Sequence, residues 1–236
     1  MAITLYQYKS GFGVPCPSPF CMKAEILLKM TGQPYRSEII DDPRKSPKGK
    51  LPFIDDDGTP VADSELIRWH LETRFGTDFD EGLTDGERAQ SHAFCRMMEE
   101  RLYWAMAYDR WEDDAGWKTT NAFWFSGMPP VIRTLLPVIA RRQTRANLKG
   151  HGLGLHDASD IYAFAARDIA ALATQLGDKP FMFGDRPTAI DAIAYPTITN
   201  LLIPEYPGPL LEAARAHPRL QAYSERCQAL WFPELA

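Results

Sequence analysis

Residues 3–31, ITLYQYKSGFGVPCPSPFCMKAEILLKMT, decide the fold. The first six, ITLYQY, are β-branched and aromatic and predict a strand over 3–8. A Gly/Pro/Ser loop follows, and residues 19–31 predict a helix. Ser18 is placed as its N-cap, and Pro19 as the first helical residue, where a missing N–H costs nothing. Phe20, Ala24, Leu27, Leu28 and Thr31 recur near helical spacing, and Gly32 is placed to end the helix. Residues 35–40 (YRSEII) predict a second strand. A strand–helix–strand unit this short implies a parallel pair with a right-handed crossover. Further out, 52–55 (PFID) and 59–62 (TPVA) flank Asp57-Gly58, a hairpin signal that adds an antiparallel pair. Asp63-Ser64 caps a helix running to about Phe75. The first 77 residues therefore predict a small mixed sheet with helices.

From about residue 86 the strand signals vanish. One long helix is predicted over 86–114, with others near 130–147, 157–176, 189–202, 209–215 and 218–230. Between two of them lies the loop GDKPFMFGDRP (177–187), aromatic enough to be buried. Thr188 and Asp191 have the capping-box spacing, with Asp in place of the usual Glu or Gln. The segment GTDFDEGLTD (76–85) is acidic and non-periodic, which marks a boundary. The expected organisation is an α/β domain over 1–77, a linker over 78–85, and an all-helical domain over 86–236. No internal repeat or low-complexity block interrupts it.

Composition narrows the function classes. The chain has 236 residues, 45% hydrophobic and 24% charged, so it is neither a disordered tail nor a fibre. A formal charge of −5 argues against nucleic acid as partner, because phosphate attraction needs a basic footprint. Four cysteines without framework spacing, and a start lacking a basic-then-apolar leader, point to free thiols and a cytoplasmic location. No membrane anchor is expected. The most apolar stretch, PPVIRTLLPVIARR, has Arg133 in its middle, and the terminal RCQALWFPELA is too short and polar to span.

Four features of the first 77 residues bear on chemistry. In Cys16-Pro17-Ser18-Pro19-Phe20-Cys21, a helix start offers unpaired N–H groups and a positive dipole end that would stabilise a thiolate. Ser18 serving only as a cap is the plainer alternative. In Gly49-Lys50-Leu51-Pro52-Phe53, a cis proline would turn the N–H and C=O of Leu51 toward an extended peptide, as in strand addition; a trans proline on an edge strand is the alternative. At Asp63-Ser64, a helix N-terminus with a hydroxyl can hold a carboxylate while the Asp pairs with an ammonium, or the pair is a plain cap. Tyr6 and Tyr8 share one face of the first strand and either donate to a sulfur anion or pack in the core.

Order and spacing together resemble the cytosolic glutathione transferases. The loop Ser46-Pro47-Lys48-Gly49-Lys50-Leu51-Pro52 is similar to that family's entry into its cis-proline strand. Asp63-Ser64 is similar to its acid/amide–Ser pair, and Thr188 to Asp191 (TAID) to its capping box. The wording of CPSPFCMKAEILLKMTG, DGTPVADSELI and GDKPFMFGDRPTAIDA is most similar to the failed-axon-connections and metaxin-like branch. The resemblance implies a thioredoxin-like N-terminal domain and a C-terminal helical bundle. It implies glutathione as co-substrate, a small electrophile as partner, and a homodimer.

Carried over by residue, Asp63 and Ser64 would hold the γ-glutamyl amine and carboxylate, and Leu51, before Pro52, the cysteinyl unit. Lys50 or Lys48 would meet the glycyl carboxylate. Ser18 would lie beside the thiol, with Cys16, Cys21 and Tyr8 as alternatives. Tyr103 and Tyr108 would line the electrophile site on a helix that also carries Trp104 and Trp111; these two tryptophans equally suit a core. SPFC has Ser where a dithiol reductase has its first Cys, and Ser cannot attack a disulfide. Cys16 and Cys21 keep a glutathione-dependent reductase open, and the metaxin resemblance keeps a non-catalytic interaction protein open. His151 and His156, with no Cys partner, predict no metal.

Overall fold

The computed structural model describes residues 3–235; Met1, Ala2 and Ala236 lie outside them. Its four strands are β1 (Ile3–Gln7), β2 (Tyr35–Ile39), β3 (Phe53–Asp56) and β4 (Thr59–Ala62). They form one sheet in the order β2-β1-β3-β4. β1 runs parallel to β2 and antiparallel to β3, and β3 pairs antiparallel with β4. Between β3 and β4, Asp57 (φ 58°) and Gly58 (φ 86°) both take positive φ, the pair a tight hairpin requires. β1 is central: Ile3, Thr4 and Leu5 are all buried, so both its faces are covered. The strand stops at Gln7, one residue short of the expected end, and Tyr8 follows it.

Helix α1 (Pro19–Thr31) has the limits its capping residues dictate. Ser18 Oγ accepts from Cys21 N–H at 3.4 Å, and Gly32 ends the helix at φ 67°. Its Ile26, Leu27 and Leu28 are fully buried, each a contribution of about 1.5–3 kcal/mol. Helix α2 (Ser64–Phe75) packs on α1 and against β3 and β4.

The remaining described helices are α3 (Asp85–Met97), α4 (Tyr103–Trp111), α5 (Asp114–Phe125), α6 (Pro130–His151), α7 (Ala158–Leu176), α8 (Asp191–Leu201), α9 (Pro209–Arg215) and α10 (Pro218–Trp231). The single helix expected over 86–114 is corrected in two ways. A π-turn at Met98–Leu102 separates α3 from α4, and the helix ends at Trp111. A separate helix, α5, then starts from an N-cap at Asp113, whose carboxylate accepts from Ala115 and Gly116 N–H at 2.9 and 3.1 Å. No helix among the described residues is long and apolar enough to cross a membrane.

Contacts divide the chain into two compact units. The first takes residues up to Cys95, Gln175–Asn200 and the stretch from Arg219 onward; the second takes Arg96–Thr174 and Leu201–Pro218. Within the first unit, the acidic segment after α2 is fastened down. Asp80 is buried, accepting from Arg68 at 2.6 Å and Ala189 N–H at 3.2 Å, and Ala189 N–H also donates to the Phe79 carbonyl at 3.0 Å. Asp191 heads α8. One carboxylate oxygen accepts from Thr188 N–H and Oγ1 (2.8 and 3.2 Å), the other from Met182 N–H and the Tyr223 hydroxyl (2.9 and 2.8 Å). The capping-box spacing at Thr188–Asp191 thus corresponds to a buried, four-donor site.

Candidate functional site

The loop entering α1 is turned at Phe12 (φ 57°) and Gly13 (φ 71°), while Gly11 and Val14 exchange backbone bonds of 3.2 and 3.1 Å. This brings Cys16, Ser18 and Cys21 into one cluster. Ser18 N–H donates to Cys16 Sγ at 3.4 Å, and Cys16 O accepts from Asn200 Nδ2 at 3.5 Å. Both cysteines are fully buried, whereas Ser18 is half-buried. Burial pushes the Cys16 thiol well above its usual range, and a hydrogen bond to Cys21 adds to this. At Cys21 burial also opposes ionisation, but hydrogen bonds from Cys16, Ser18 and the Tyr8 backbone draw its pKa down, so Cys21 is the more acidic of the two.

The second element is the start of β3. The Leu51-Pro52 peptide is cis. Leu51 is buried and takes part in no ladder or turn hydrogen bond among the described residues, which leaves its N–H and C=O without a backbone partner there. Tyr6 stacks on the neighbouring Phe53, with ring centroids 4.3 Å apart and planes 6° apart. Lys48 and Lys50 are exposed, with no ion-pair partner among the described residues.

The third element is the head of α2. Asp63 N–H reaches the Pro52 carbonyl at 3.5 Å, joining the two segments directly. Asp63 is exposed and holds φ 104°, a region that non-glycine residues rarely occupy and that clusters at functional sites. Its Oδ1 caps Glu65 and Leu66 N–H at 2.9 and 3.3 Å. The Ser64 side chain makes no hydrogen bond among the described residues. Sequence reasoning missed Lys23. This lysine on α1 is 2% exposed and pairs with Glu65 at 2.6 Å, tying α1 to the first turn of α2. A lysine flanked by Met22 and Ala24 near the start of the helix was the available signal.

The remaining predicted residues lie in the second unit. Tyr108 meets Tyr162 edge-on at 6.0 Å, Trp104 stacks on His151 at 4.7 Å, and Trp111 lies 5.7 Å from Trp117. Tyr103 is half-buried against Trp104. Sequence reasoning also passed over Asp109. It is buried and accepts from the Tyr162 hydroxyl at 3.1 Å, and burial pushes its carboxyl up to about 6. His151 and His156 line an open hollow of about 390 Å³ with Arg101 and Phe164. No group of three or more metal-ligating side chains occurs among the described residues. The Ser18, Leu51-Pro52 and Asp63-Ser64 segments thus sit on adjoining elements of one unit, with two helix N-termini among them.

Comparison with known proteins bears on the fold and the family. A family model for the glutathione S-transferase N-terminal domain matches residues 19–116, and one for the C-terminal domain matches residues 165–227. The chain is 37% identical over 206 residues to the isoprene-epoxide–glutathione S-transferase of Rhodococcus sp. (strain AD45), covering 84% of this chain and 86% of that protein. It is 33% identical to Failed axon connections of Drosophila melanogaster, with 84% of this chain covered but only half the length of that relative. A metaxin-1 homolog of Caenorhabditis briggsae is 29% identical, over 97% of this chain and 74% of that one. A solved glutathione transferase family member from Pseudomonas fluorescens pf-5, with two glutathione bound, superposes with a TM-score of 0.63 at 18% identity, covering 97% of this chain and 88% of that one. By family models spanning most of its length and by its relatives, this chain belongs to the glutathione S-transferase superfamily.

Proposed function

We propose that the protein is a glutathione transferase that binds glutathione along Leu51-Pro52 and Asp63-Ser64 and presents its thiolate, beside Ser18, to a small electrophile. The observation that carries this reading is the Asp63 N–H bond to the Pro52 carbonyl. It puts an exposed carboxylate, a free hydroxyl and a helix N-terminus next to an unpaired backbone edge. The Asp63 carboxylate suits the γ-glutamyl ammonium. Ser64 and the first turn of α2 suit its carboxylate. Lys48 or Lys50 suits the glycyl end as a point charge.

The chemistry asked of the protein is modest. Lowering a thiol pKa by two units takes about 2.7 kcal/mol, within reach of a helix terminus plus one donated hydrogen bond to a charged sulfur. The thiolate then forms a carbon–sulfur bond as the electrophile's leaving bond breaks. Tyr103 and Tyr108 remain the proposed electrophile-side residues. The relative named for an isoprene epoxide makes small epoxides the first substrates to try. In their opening, the carbon–oxygen bond breaks and the alkoxide takes up a proton. Complete burial of Cys16 and Cys21 weighs against a thiol–disulfide reductase, which needs an exposed thiolate. A homodimer belongs to this reading, and Leu66 and Trp69, three residues apart and exposed on α2, are apolar residues such a contact would cover. The metaxin relatives support the alternative of a binding protein without turnover, which retained glutathione affinity with no conjugation of any tested epoxide would favour.

Two substitutions test the assignment while preserving the caps. Asn caps as well as Asp, so Asp63→Asn should leave stability nearly unchanged yet weaken glutathione binding about tenfold in calorimetry, by loss of a charge-assisted bond. Gly at an N-cap costs only a few tenths of a kcal/mol, so Ser18→Gly isolates the hydroxyl. It should raise the pKa of the bound thiol, followed by thiolate absorbance. Unchanged affinity in the first variant removes Asp63 from the site, and an unchanged thiol pKa in the second removes Ser18.

A further inference from the structure

Helix α6 is the most unusual surface of the molecule. Among its 22 residues only Pro137 and Leu148 are buried. Val131, Ile132, Leu135, Leu136, Val138 and Ile139 are exposed, by 36–72%. At 100° per residue these six cover an arc of about 160° on one side of the helix, opposite Pro137. Solvent-exposed apolar patches of this kind mark an interaction surface.

The charge around this face is equally distinctive. Residues 115–156 contain six Lys and Arg and no Asp or Glu, in a chain whose formal charge is −5. Two of the cations fasten the helix. Arg141 bonds the Trp111 and Glu112 carbonyls and Asp114, and Arg145 pairs with Glu112 at 2.9 Å. Arg133, Arg142 and Lys149 have no ion-pair partner among the described residues. On the helical wheel Arg142 and Lys149 continue the apolar face toward the C-terminus, so one face is apolar in its first half and cationic in its second.

We infer that α6 is a docking surface for an anionic lipid bilayer. Its apolar half enters the boundary between headgroups and acyl chains, while Arg142 and Lys149 meet lipid phosphates and carboxylates. The width of the face favours a lipid surface over a second helix. A helix–helix seam is a narrow stripe, which would leave much of a 160° arc (roughly,) in water, whereas a membrane interface covers it whole. The charge favours an anionic surface, because basic residues beside an interfacial apolar face add attraction to acidic lipids. The helix lies on the bilayer and does not cross it: its apolar half is far shorter than a span.

The test is co-sedimentation of the full chain with vesicles of phosphatidylcholine alone and of phosphatidylcholine with phosphatidylserine. Binding is expected to the second and to be weaker by about tenfold or more on the first, falling as salt rises. Leu135→Glu with Val138→Glu should abolish it. Arg142→Glu with Lys149→Glu should weaken it about tenfold or more. All four positions are exposed, and unchanged circular dichroism and glutathione affinity would show that the fold and the proposed tripeptide site are intact. Absence of binding to either vesicle, or binding insensitive to both pairs of substitutions, overturns the inference. So does light scattering in which Leu135→Glu with Val138→Glu splits a dimer, since the face would then belong to a second copy of the chain.

Discussion

Replacing Asp109 by Asn should stabilise this protein near neutral pH and bring no gain in acid. Asp109 lies on α4, 6% exposed, with one partner for its carboxylate in the Tyr162 hydroxyl. α5 closes over its backbone so tightly that a Cβ on Gly116 would fall 1.9 Å from the Asp109 carbonyl oxygen. Burial is the main influence on the carboxyl and raises it from 3.8 to about 6, against the opposing pull of Tyr162 and Arg110. A rise of about two units corresponds to about 3 kcal/mol. The sign follows from proton binding. The folded chain holds the Asp109 proton more tightly than the unfolded chain does. Stability from this group is therefore complete below about pH 4 and is lost as pH climbs through about 6. Above that, the buried anion costs the fold about 3 kcal/mol. Asn keeps an acceptor for Tyr162 and cannot ionise. Allowing for an added amide that needs partners, the variant should gain about 1–3 kcal/mol near pH 7.5. Urea unfolding of both proteins, near neutral pH and near pH 4, measures this. Equal destabilisation at both pH values would refute the reasoning, because a raised carboxyl pKa in the folded chain requires the difference between the two proteins to change with pH.

Other perturbations probe the frame of the site. Lys23→Met removes the buried partner of Glu65; with Arg68 still 3.9 Å from Glu65 and Glu65 one-fifth exposed, the expected loss is about 2 kcal/mol in urea unfolding. Adding Glu65→Gln should recover part of it, and full additivity in that cycle would show that the pair is not coupled. Asp191→Ala strips the acceptor from four donors and should cost about 4 kcal/mol or more, with Asp191→Asn intermediate, because the amide keeps one oxygen for two of them. A thermal midpoint unmoved by Asp191→Ala would show that water replaces the carboxylate there.

Much of the sheet unit is legible because its signals are local. Ser18 and Gly32 bracket α1, Asp57-Gly58 turns the hairpin and Asp63 starts α2, each through a side chain or backbone preference acting within a few residues. The elements that escaped depend on distant partners or on weak local chemistry. α5 reads DAGWKTTNAFWF, with Gly, Thr, Asn and aromatics that form helices poorly. Its only clear cue is Asp113 as a cap. The π-turn at Met98–Leu102 falls in MEERL, all good helix formers, so nothing in composition announces it. Lys23 makes sense beside Glu65, 42 residues away, and the raised carboxyl of Asp109 follows from its burial in the folded chain, against the pull of the Tyr162 hydroxyl. At the candidate site, residue types and order were readable. The bond between Asp63 and Pro52 needed the fold.

The unit built around the sheet takes its last pieces from the far end of the chain. Lys29 bonds the Trp231 carbonyl, Asn200 reaches the carbonyl of Cys16, and Ala189 closes on Asp80. During synthesis, the first strand leaves the ribosome more than 200 residues before the helix that bonds α1. Until translation is nearly over, α1, the loop before it and the segment after α2 lack these late partners, and the nascent unit is exposed to chaperones and to misassociation in the interval. A fragment ending after α2 would meet the same fate permanently: it would carry every proposed glutathione contact and lack the late segments that bond α1 and the Cys16 loop.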